Sequence, residues 1–476
     1  MRRCLSLPLI AVLLFSTSPA GGSPQAAQSD LLGPWTGAIQ VMGAELKINV
    51  VFSEAAGALA ATIDIPQQGA MGLKLTGVRR DGPSVHFELQ AGPGVAAFDG
   101  KIEKDTIAGD FTQAGAKGTF SLARGAAEPP KPAPAKTEPP PYREEEVTFA
   151  NGDVTLAGTL TVPPGAGSFP AVILLTGSGA QNRDEELFGF KPFRVIADHL
   201  TRRGIAVLRY DDRGVGGSTG AGPNVTTEDF GRDALAALAW LAKRPEIRPS
   251  RIGMLGHSEG GLVAGMAASR SRDVAFIVML AGTSVKGEFI IRAQAEAMAR
   301  AAGATVEDLK KLSAQQDLLF SAVRTGQGWD AVIESARALG REQIANLPEA
   351  QRKSIQDPEK ALDMAIQAQL AAAKSGWYKF FIDYDPAQAL AKVACPVLAL
   401  FGSFDLQVPA EMNRKAVEAA LGRAGNRDVT LKTYDGANHL FIKAVTGSPT
   451  EYGTLEKAFV PGLLEDISKW ISERTK

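Results

Sequence analysis

Hydrophobic and polar positions follow three successive patterns along the chain. From about residue 31 to 124, short runs alternate apolar with polar positions: AIQVM (38–42), ELKINVVF (45–52), ALAATIDI (58–65), LKLTGV (73–78), SVHFELQ (84–90), AAFDGKI (96–102), TIAGDFT (106–112) and GTFSLA (118–123). Gly, Pro and Asp separate them, and a period of two between turn signals predicts up-and-down antiparallel strands that close into a small barrel or a half-open sandwich. The span 125–144, rich in Pro, Ala and charge, has nothing with which to bury a core and reads as a semi-rigid linker. Beyond it, VTFANGDVTLAGTLTVP (147–163) places Asn151-Gly152 between two alternating runs, which predicts a hairpin.

From Phe169 the period changes. Uniformly apolar runs, AVILLT (171–176), IAVLRY (205–210), RIGMLG (251–256), AFIVML (275–280), PVLALF (396–401) and VTLKTY (429–434), alternate with helical stretches near 189–203, 227–243, 259–270, 410–422 and 454–474. Such strands belong to a mostly parallel sheet covered on both faces, so 145–476 reads as a doubly wound α/β domain with an antiparallel entry. The long span 284–390, dense in Ala, Gln, Lys and Glu, is more than a crossover needs. It follows a strand carboxyl end, where ligands bind in such sheets, and predicts a helical cap. Trp377, Tyr378, Phe380 and Phe381 near its end either line an acyl pocket or pack the cap against the core.

Composition narrows the function. The chain has 476 residues, is 45% apolar and carries a net charge of −1, with no dense Lys/Arg cluster, which argues against nucleic acid as a partner. Arg2 and Arg3, the apolar run from Leu5 to Phe15 and Ser18-Pro19-Ala20 predict a signal peptide over 1–20 and export to the periplasm or medium, without stable membrane insertion. Cys4 leaves with that leader, and its position before the apolar run does not make a lipoprotein signal. Cys395, alone afterwards, reads as a buried structural thiol.

The chemistry centres on residues 251–270, RIGMLGHSEGGLVAGMAASR. An apolar strand runs straight into a turn with Gly256 and Gly260 around Ser258, and a small-residue helix follows, the sequence form of a nucleophile elbow. The bare G-x-S-x-G pattern is weak; with 50 glycines, chance supplies about 0.3 matches in a chain this long. A second match, Gly216 to Gly220 around Ser218, lies past its strand and runs into AGPN, so context selects Ser258 as the nucleophile.

Four histidines leave one base. His86 belongs to the β region as a strand residue, without a neighbouring Cys or acid cluster that would make a metal site; His199 lies within a helix; His257 adjoins the nucleophile. His439, in TYDGANHLF (433–441) after the last strand, can present an imidazole at the sheet's carboxyl edge. Asp405 follows PVLALF in the turn GSFD and fits the third position, where it would fix the imidazole tautomer; Asp383 and Asp385 precede that strand and Asp435 shares a turn with His439. Two backbone N–H groups are needed for an oxyanion: Glu259, at a helix start, offers one, and Gly177 or Ser178 in the loop after AVILL the other. The Glu259 side chain is explained as an acid in a first helical turn. No cofactor or metal site is indicated.

GHSEGG (256–261), LLTGSGAQNRDE (174–185), YDDRGVGGST (210–219), FGSFDLQVP (401–409) and NHLF (438–441) together resemble the α/β-hydrolase superfamily over about 145–476. More narrowly they resemble exported bacterial carboxylesterases related to serine aminopeptidases and dienelactone hydrolases. The resemblance implies a Ser258, Asp405 and His439 triad, a structural loop at Asp212-Arg213-Gly214, and a small-molecule ester as substrate. It departs from the pattern at Thr176, where many relatives have His. An aminopeptidase or amidase of the same fold, and a non-catalytic exported binding protein, are the competing readings. A carboxylate or Arg pocket for a peptide terminus would mark the first, and a broken triad the second.

Overall fold

The computed structural model describes residues 31–41, 44–55, 58–65, 70–91, 94–113, 116–125, 140–347, 349, 352, 355 and 357–476. The expected leader (1–20) lies outside the described residues, as does the expected linker apart from its ends.

The alternating region forms eight strands: β1 Gly33–Val41, β2 Ala44–Ala55, β3 Ala58–Ile65, β4 Ala70–Asp81, β5 Ser84–Ala91, β6 Gly94–Glu103, β7 Thr106–Gln113 and β8 Ala116–Arg124. Each pairs antiparallel with the next, and β1 also pairs with β8, so the sheet closes into a barrel. Closure leaves no edge strand unpaired. The period of two sends Trp35, Phe52, Phe87, Phe98 and Phe120 inward, where each is almost completely buried. Phe87 stacks on Phe98 with centroids 4.6 Å apart, and Phe120 meets both edge-on. Each such ring contributes about 1.5–3 kcal/mol by burial, and together they fill an interior that an eight-stranded barrel leaves just wide enough for side chains.

The second sheet has the order β16-β15-β14-β13-β11-β12-β10-β9. The hairpin β9 (Arg143–Asn151) and β10 (Val154–Val162) turns at Gly152, whose φ of 59° suits a residue without a Cβ. It joins antiparallel to β12. The parallel strands are β11 (Phe169–Leu175), β12 (Ala206–Tyr210), β13 (Ile247–His257), β14 (Ile277–Leu280), β15 (Val397–Gly402) and β16 (Val429–Tyr434). Burial on both faces explains the apolar runs of β11, β12, β14 and β15, whereas β16, at the sheet edge, is partly exposed. In β11, Ala171, Ile173 and Leu175 enter one core, while Val172 and Leu174 enter the other. The first core is completed by helices α2 (Thr227–Leu241), α3 (Glu259–Arg270) and α10 (Ala410–Arg423), the second chiefly by α1 (Pro192–Thr201) and α11 (Leu463–Arg474). The last helix starts at Leu463 instead of near 454. Pro461 and the left-handed Gly462 precede it, and Phe459 is held in a bridge to Ile442, so the intervening chain cannot coil.

Between β14 and β15 stand α4 (Gly287–Ala301), α5 (Val306–Thr325), α6 (Trp329–Ala345), α7 (Pro358–Ala373), α8 (Gly376–Asp383) and α9 (Pro386–Leu390). These helices bury a small core of their own around Phe320, Leu370 and Ile382. The neck of the insertion is closed where the Gly287 N–H donates to the Tyr384 carbonyl, 3.1 Å away. No helix among the described residues is long and apolar enough to cross a membrane.

Candidate active site

Strand β13 delivers the elbow. Its last residue is His257, and Ser258 follows at φ 55° and ψ −118°, a conformation unfavourable for a residue with a Cβ. The flanking glycines are forced by contact. A Cβ on Gly256 would lie 2.0 Å from the Gly260 carbonyl oxygen, and one on Gly260 would lie 2.0 Å from that of Leu175. Only with both glycines can α3 begin directly above β11 and β13, and that closeness tips Ser258 out of the strand. Glu259 is the first residue of α3, so its backbone N–H is among the donors that a helix start leaves without an intrahelical partner.

The loops after β15 and β16 are stitched together. Ser403 N–H donates to the Tyr434 carbonyl (3.0 Å) and Phe404 N–H to that of Ala437 (2.9 Å). This brings Asp405 against His439, with Oδ2 2.8 Å from Nδ1 and the Asp405 side chain wholly buried. The other oxygen, Oδ1, accepts from the N–H groups of Gln407 and Val408, both at 2.8 Å. His439 in turn lies beside the elbow: the rings of His257 and His439 have centroids 4.6 Å apart, and His257 Nε2 is 2.9 Å from the His439 carbonyl oxygen.

The structure places the rivals elsewhere. Ser218 is buried, donating to the Asp211 carbonyl (2.8 Å) and accepting from Ala157 N–H (2.9 Å), which makes it a fastening of the loop to β10. Asp383 pairs with Arg324 and Lys286 on the cap, Asp385 caps α9, and Asp435 accepts from Ser403. His199 hydrogen-bonds Ser468 and ties α1 to α11; burial pushes its pKa down. Cys395 has its thiol pushed up to about 11 by burial, which keeps it protonated and unreactive.

One sequence reading needs correction, and two others gain partners. Gly177 is not a free oxyanion donor: its N–H is committed to Glu185 Oε1 at 2.6 Å, leaving Ser178 as the candidate in that loop. The Glu259 side chain does stand in the first turn of α3, and it has tertiary partners besides. It is buried, accepting from Thr227 Oγ1 (2.6 Å), from Trp377 Nε1 (2.8 Å) and from the Ser178 side chain, and burial raises its pKa. His86 stands in β5, with Asp99 at 2.6 Å through cross-strand register and Glu88 3.3 Å away. Even so, no group of three or more His, Cys, Asp or Glu suited to a metal ion occurs among the described residues.

Two further residues join the site. Glu185 is 2% exposed and accepts from Gly177 and from His257 Nδ1 (2.9 Å). Asp212, in the Asp212-Arg213-Gly214 loop, accepts from Thr176 Oγ1 (2.6 Å) and Gln181 N–H (3.0 Å), and its carboxyl is pushed well up by burial. Arg213 is anchored on Asp233. Thr176, the departure from the resembling motif, is therefore fixed by a carboxylate. The aromatic cluster packs: Trp377 stacks on Phe381 at 4.9 Å, and both lie against the core beneath the cap.

Comparisons with known proteins place the chain among relatives. Residues 191–443 match a protein family described as serine aminopeptidase, S33. Esterase EstD of Thermotoga maritima is 28% identical over 340 residues, covering 71% of this chain and 69% of that protein. An uncharacterised 31.7 kDa protein of Escherichia coli is 24% identical over 265 residues, covering 56% of this chain and 82% of its own length. Among solved structures, the esterase PF2001 of Pyrococcus furiosus superposes with a TM-score of 0.43 at 18% identity, covering 70% of this chain and 92% of that one. With its family match spanning more than half its length, the chain belongs to the serine aminopeptidase S33 family and is an α/β-hydrolase preceded by a closed β-barrel.

Proposed function

We propose that this chain hydrolyses carboxylic esters of small acyl groups by acyl transfer through Ser258, with His439 as base and Asp405 as its orienting partner. The observation that carries the reading is the 2.8 Å contact between Asp405 and His439 Nδ1 beside a serine held at positive φ. With Nδ1–H donated to Asp405, the Nε2 lone pair is available to take the Ser258 proton. The serine oxygen attacks the ester carbonyl, and the resulting oxyanion is met by the Glu259 N–H, at the positive end of α3, and by that of Ser178. Collapse expels the alcohol, which takes the proton from His439. A water, deprotonated by the same imidazole, then releases the acid and restores Ser258.

The family's description as serine aminopeptidase supports amide cleavage as the second reading. A peptide amine would need a carboxylate to hold it. The buried carboxyls Glu259 and Asp212 already accept from protein donors, and Asp405 is spent on His439, which favours the ester. The N-terminal pattern supports export by a cleaved leader, testable by N-terminal sequencing of protein from the periplasmic fraction.

The test is a comparison of p-nitrophenyl esters with aminoacyl anilides, together with fluorophosphonate labelling. Ser258→Ala should abolish both turnover and labelling, whereas Ser218→Ala should keep turnover while losing about 1–3 kcal/mol of stability from the orphaned Ala157 N–H and Asp211 carbonyl. An adduct on Ser218, or faster cleavage of anilides than of esters, would overturn the proposal.

A further inference from the structure

Glu185 and His257 are both buried, touch each other, and are used by no step of the acyl transfer. Each also holds a different active-site loop. Glu185 Oε1 accepts the Gly177 N–H from the loop after β11, and His257 Nε2 faces the backbone carbonyl of the base, His439. Three segments far apart in sequence therefore meet in one chain of hydrogen bonds: Gly177 to Glu185, Glu185 to His257, His257 to His439. We infer that Glu185 and His257 are a buried ion pair whose function is positional, holding the oxyanion loop and the His439 loop in register with the nucleophile elbow. The inference rests on the triad reading above and extends it to two residues that do not touch the substrate.

Hydrogen-bond capacity and charge together favour the ionised pair. The His439 carbonyl can only accept, so Nε2 must carry a proton. Glu185 Oε1 takes the Gly177 N–H and lies 2.9 Å from Nδ1, and a carboxylate there accepts from both donors at once. A doubly protonated imidazole beside a carboxylate satisfies all three contacts. A buried carboxylate without a cation would cost several kcal/mol, and His257 is its cationic partner among the described residues. Burial by itself pulls the His257 pKa down, but the Glu185 charge, its hydrogen bond and the His439 carbonyl outweigh it and leave the ring's affinity for a proton raised. Asp405, on the far side of His439, pulls in the same direction. The remaining nearby charges, Asp212 and Glu259, are held by their own donors.

Glutamine at 185 cannot reproduce this. With its carbonyl toward Gly177 and Nδ1, a now neutral His257 spends its one proton on the amide and turns a bare Nε2 toward the His439 carbonyl. Flipped, the amide NH2 opposes the Gly177 N–H. One loop is released in either case. A displacement on the order of 1 Å at a reacting group can cost about a hundredfold in rate.

The experiment is ester turnover by Glu185→Gln in the full chain, joined to nitrogen NMR of the wild-type protein labelled at its four histidines. Expected are a fall in kcat of at least about tenfold with KM within about twofold, and a wild-type His257 ring still predominantly protonated on both nitrogens at pH 6.5, where an ordinary histidine is about half neutral. A merely structural role would lower the melting temperature without this split. Wild-type kcat in the variant, or a singly protonated His257, would overturn the inference, and the second measurement decides even if the variant does not fold. The two readings fail separately: turnover retained by Ser258→Ala sinks the triad, whereas turnover retained by Glu185→Gln beside an inactive Ser258→Ala sinks only the pair.

Discussion

Replacing Asp405 by Asn tests the site where its geometry makes the strongest demand. Oδ1 accepts two backbone N–H groups, from Gln407 and Val408, and Oδ2 accepts His439 Nδ1–H. An asparagine must place its carbonyl where those two N–H groups point, since its NH2 there would oppose both. The amide NH2 is then forced toward Nδ1, which has to accept, so the imidazole proton moves to Nε2 and the lone pair that should take the serine proton is lost. The two backbone bonds survive, and the stability lost is only about 1–2 kcal/mol, the difference between charged and neutral hydrogen bonding. The kinetic loss is far larger: a wrong tautomer in such a triad lowers kcat about 10⁴-fold, equivalent to about 5 kcal/mol in the barrier. The assay is steady-state hydrolysis of a short p-nitrophenyl ester alongside thermal unfolding of the same preparation. Asp383→Asn, on the cap, serves as the control. A rate within tenfold of wild type for Asp405→Asn, or an equal loss for Asp383→Asn, would refute the assignment of the acid.

Two other outcomes follow from the structure. Because the folded pKa of His257 is raised, its protonation contributes stability that is fully present below the ordinary histidine value near 6.5 and is lost as pH climbs through the folded value. Stability against thermal unfolding should therefore fall above about pH 6.5, by at most about 1.4 kcal/mol per pH unit from this group, and Glu185→Gln should flatten the trend. The groups facing His257 are Glu185, His439 and Asp405, while His199, depressed by burial, acts on the acid side of 6.5; an unchanged slope in the variant would contradict the pair. A chain beginning at Pro140 should fold and hydrolyse a short soluble ester with kcat near that of the longer chain, since every proposed catalytic group lies in the second sheet's loops. It must keep Tyr142, which donates to Asp198 at 2.8 Å, and an insoluble or inactive product would show that the barrel is needed.

What the sequence determined by itself is whatever is carried by local pattern and chain order. Alternation with period two set out eight strands, uniform apolar runs set out a sheet buried on both faces, and Gly256 and Gly260 around Ser258 spelled a turn that only close backbone approach can require. Asp405 and His439 were legible because each follows a strand at the same edge of the sheet, so the fold alone brings their loops together. Tertiary structure decided everything that depends on which distant donor reaches which acceptor. The Gly177 N–H could not be known to be spent until Glu185 folded back on it, and the Glu259 side chain had only its helix start to explain it until Trp377, from the cap, met it. Ser218 and Ser258 share one motif, yet the first is bonded to β10 and the second stands on the elbow. Glu185 and His257 stand within LLTGSGAQNRDE and GHSEGG, but their pairing gave no local signal, because the contacts that define it cross 72 and 182 positions of sequence. Periodicity records which face of an element is buried, but a hydrogen bond between loops depends on their packing to within a few tenths of an ångström, and that is fixed only when the sheet has assembled beneath them.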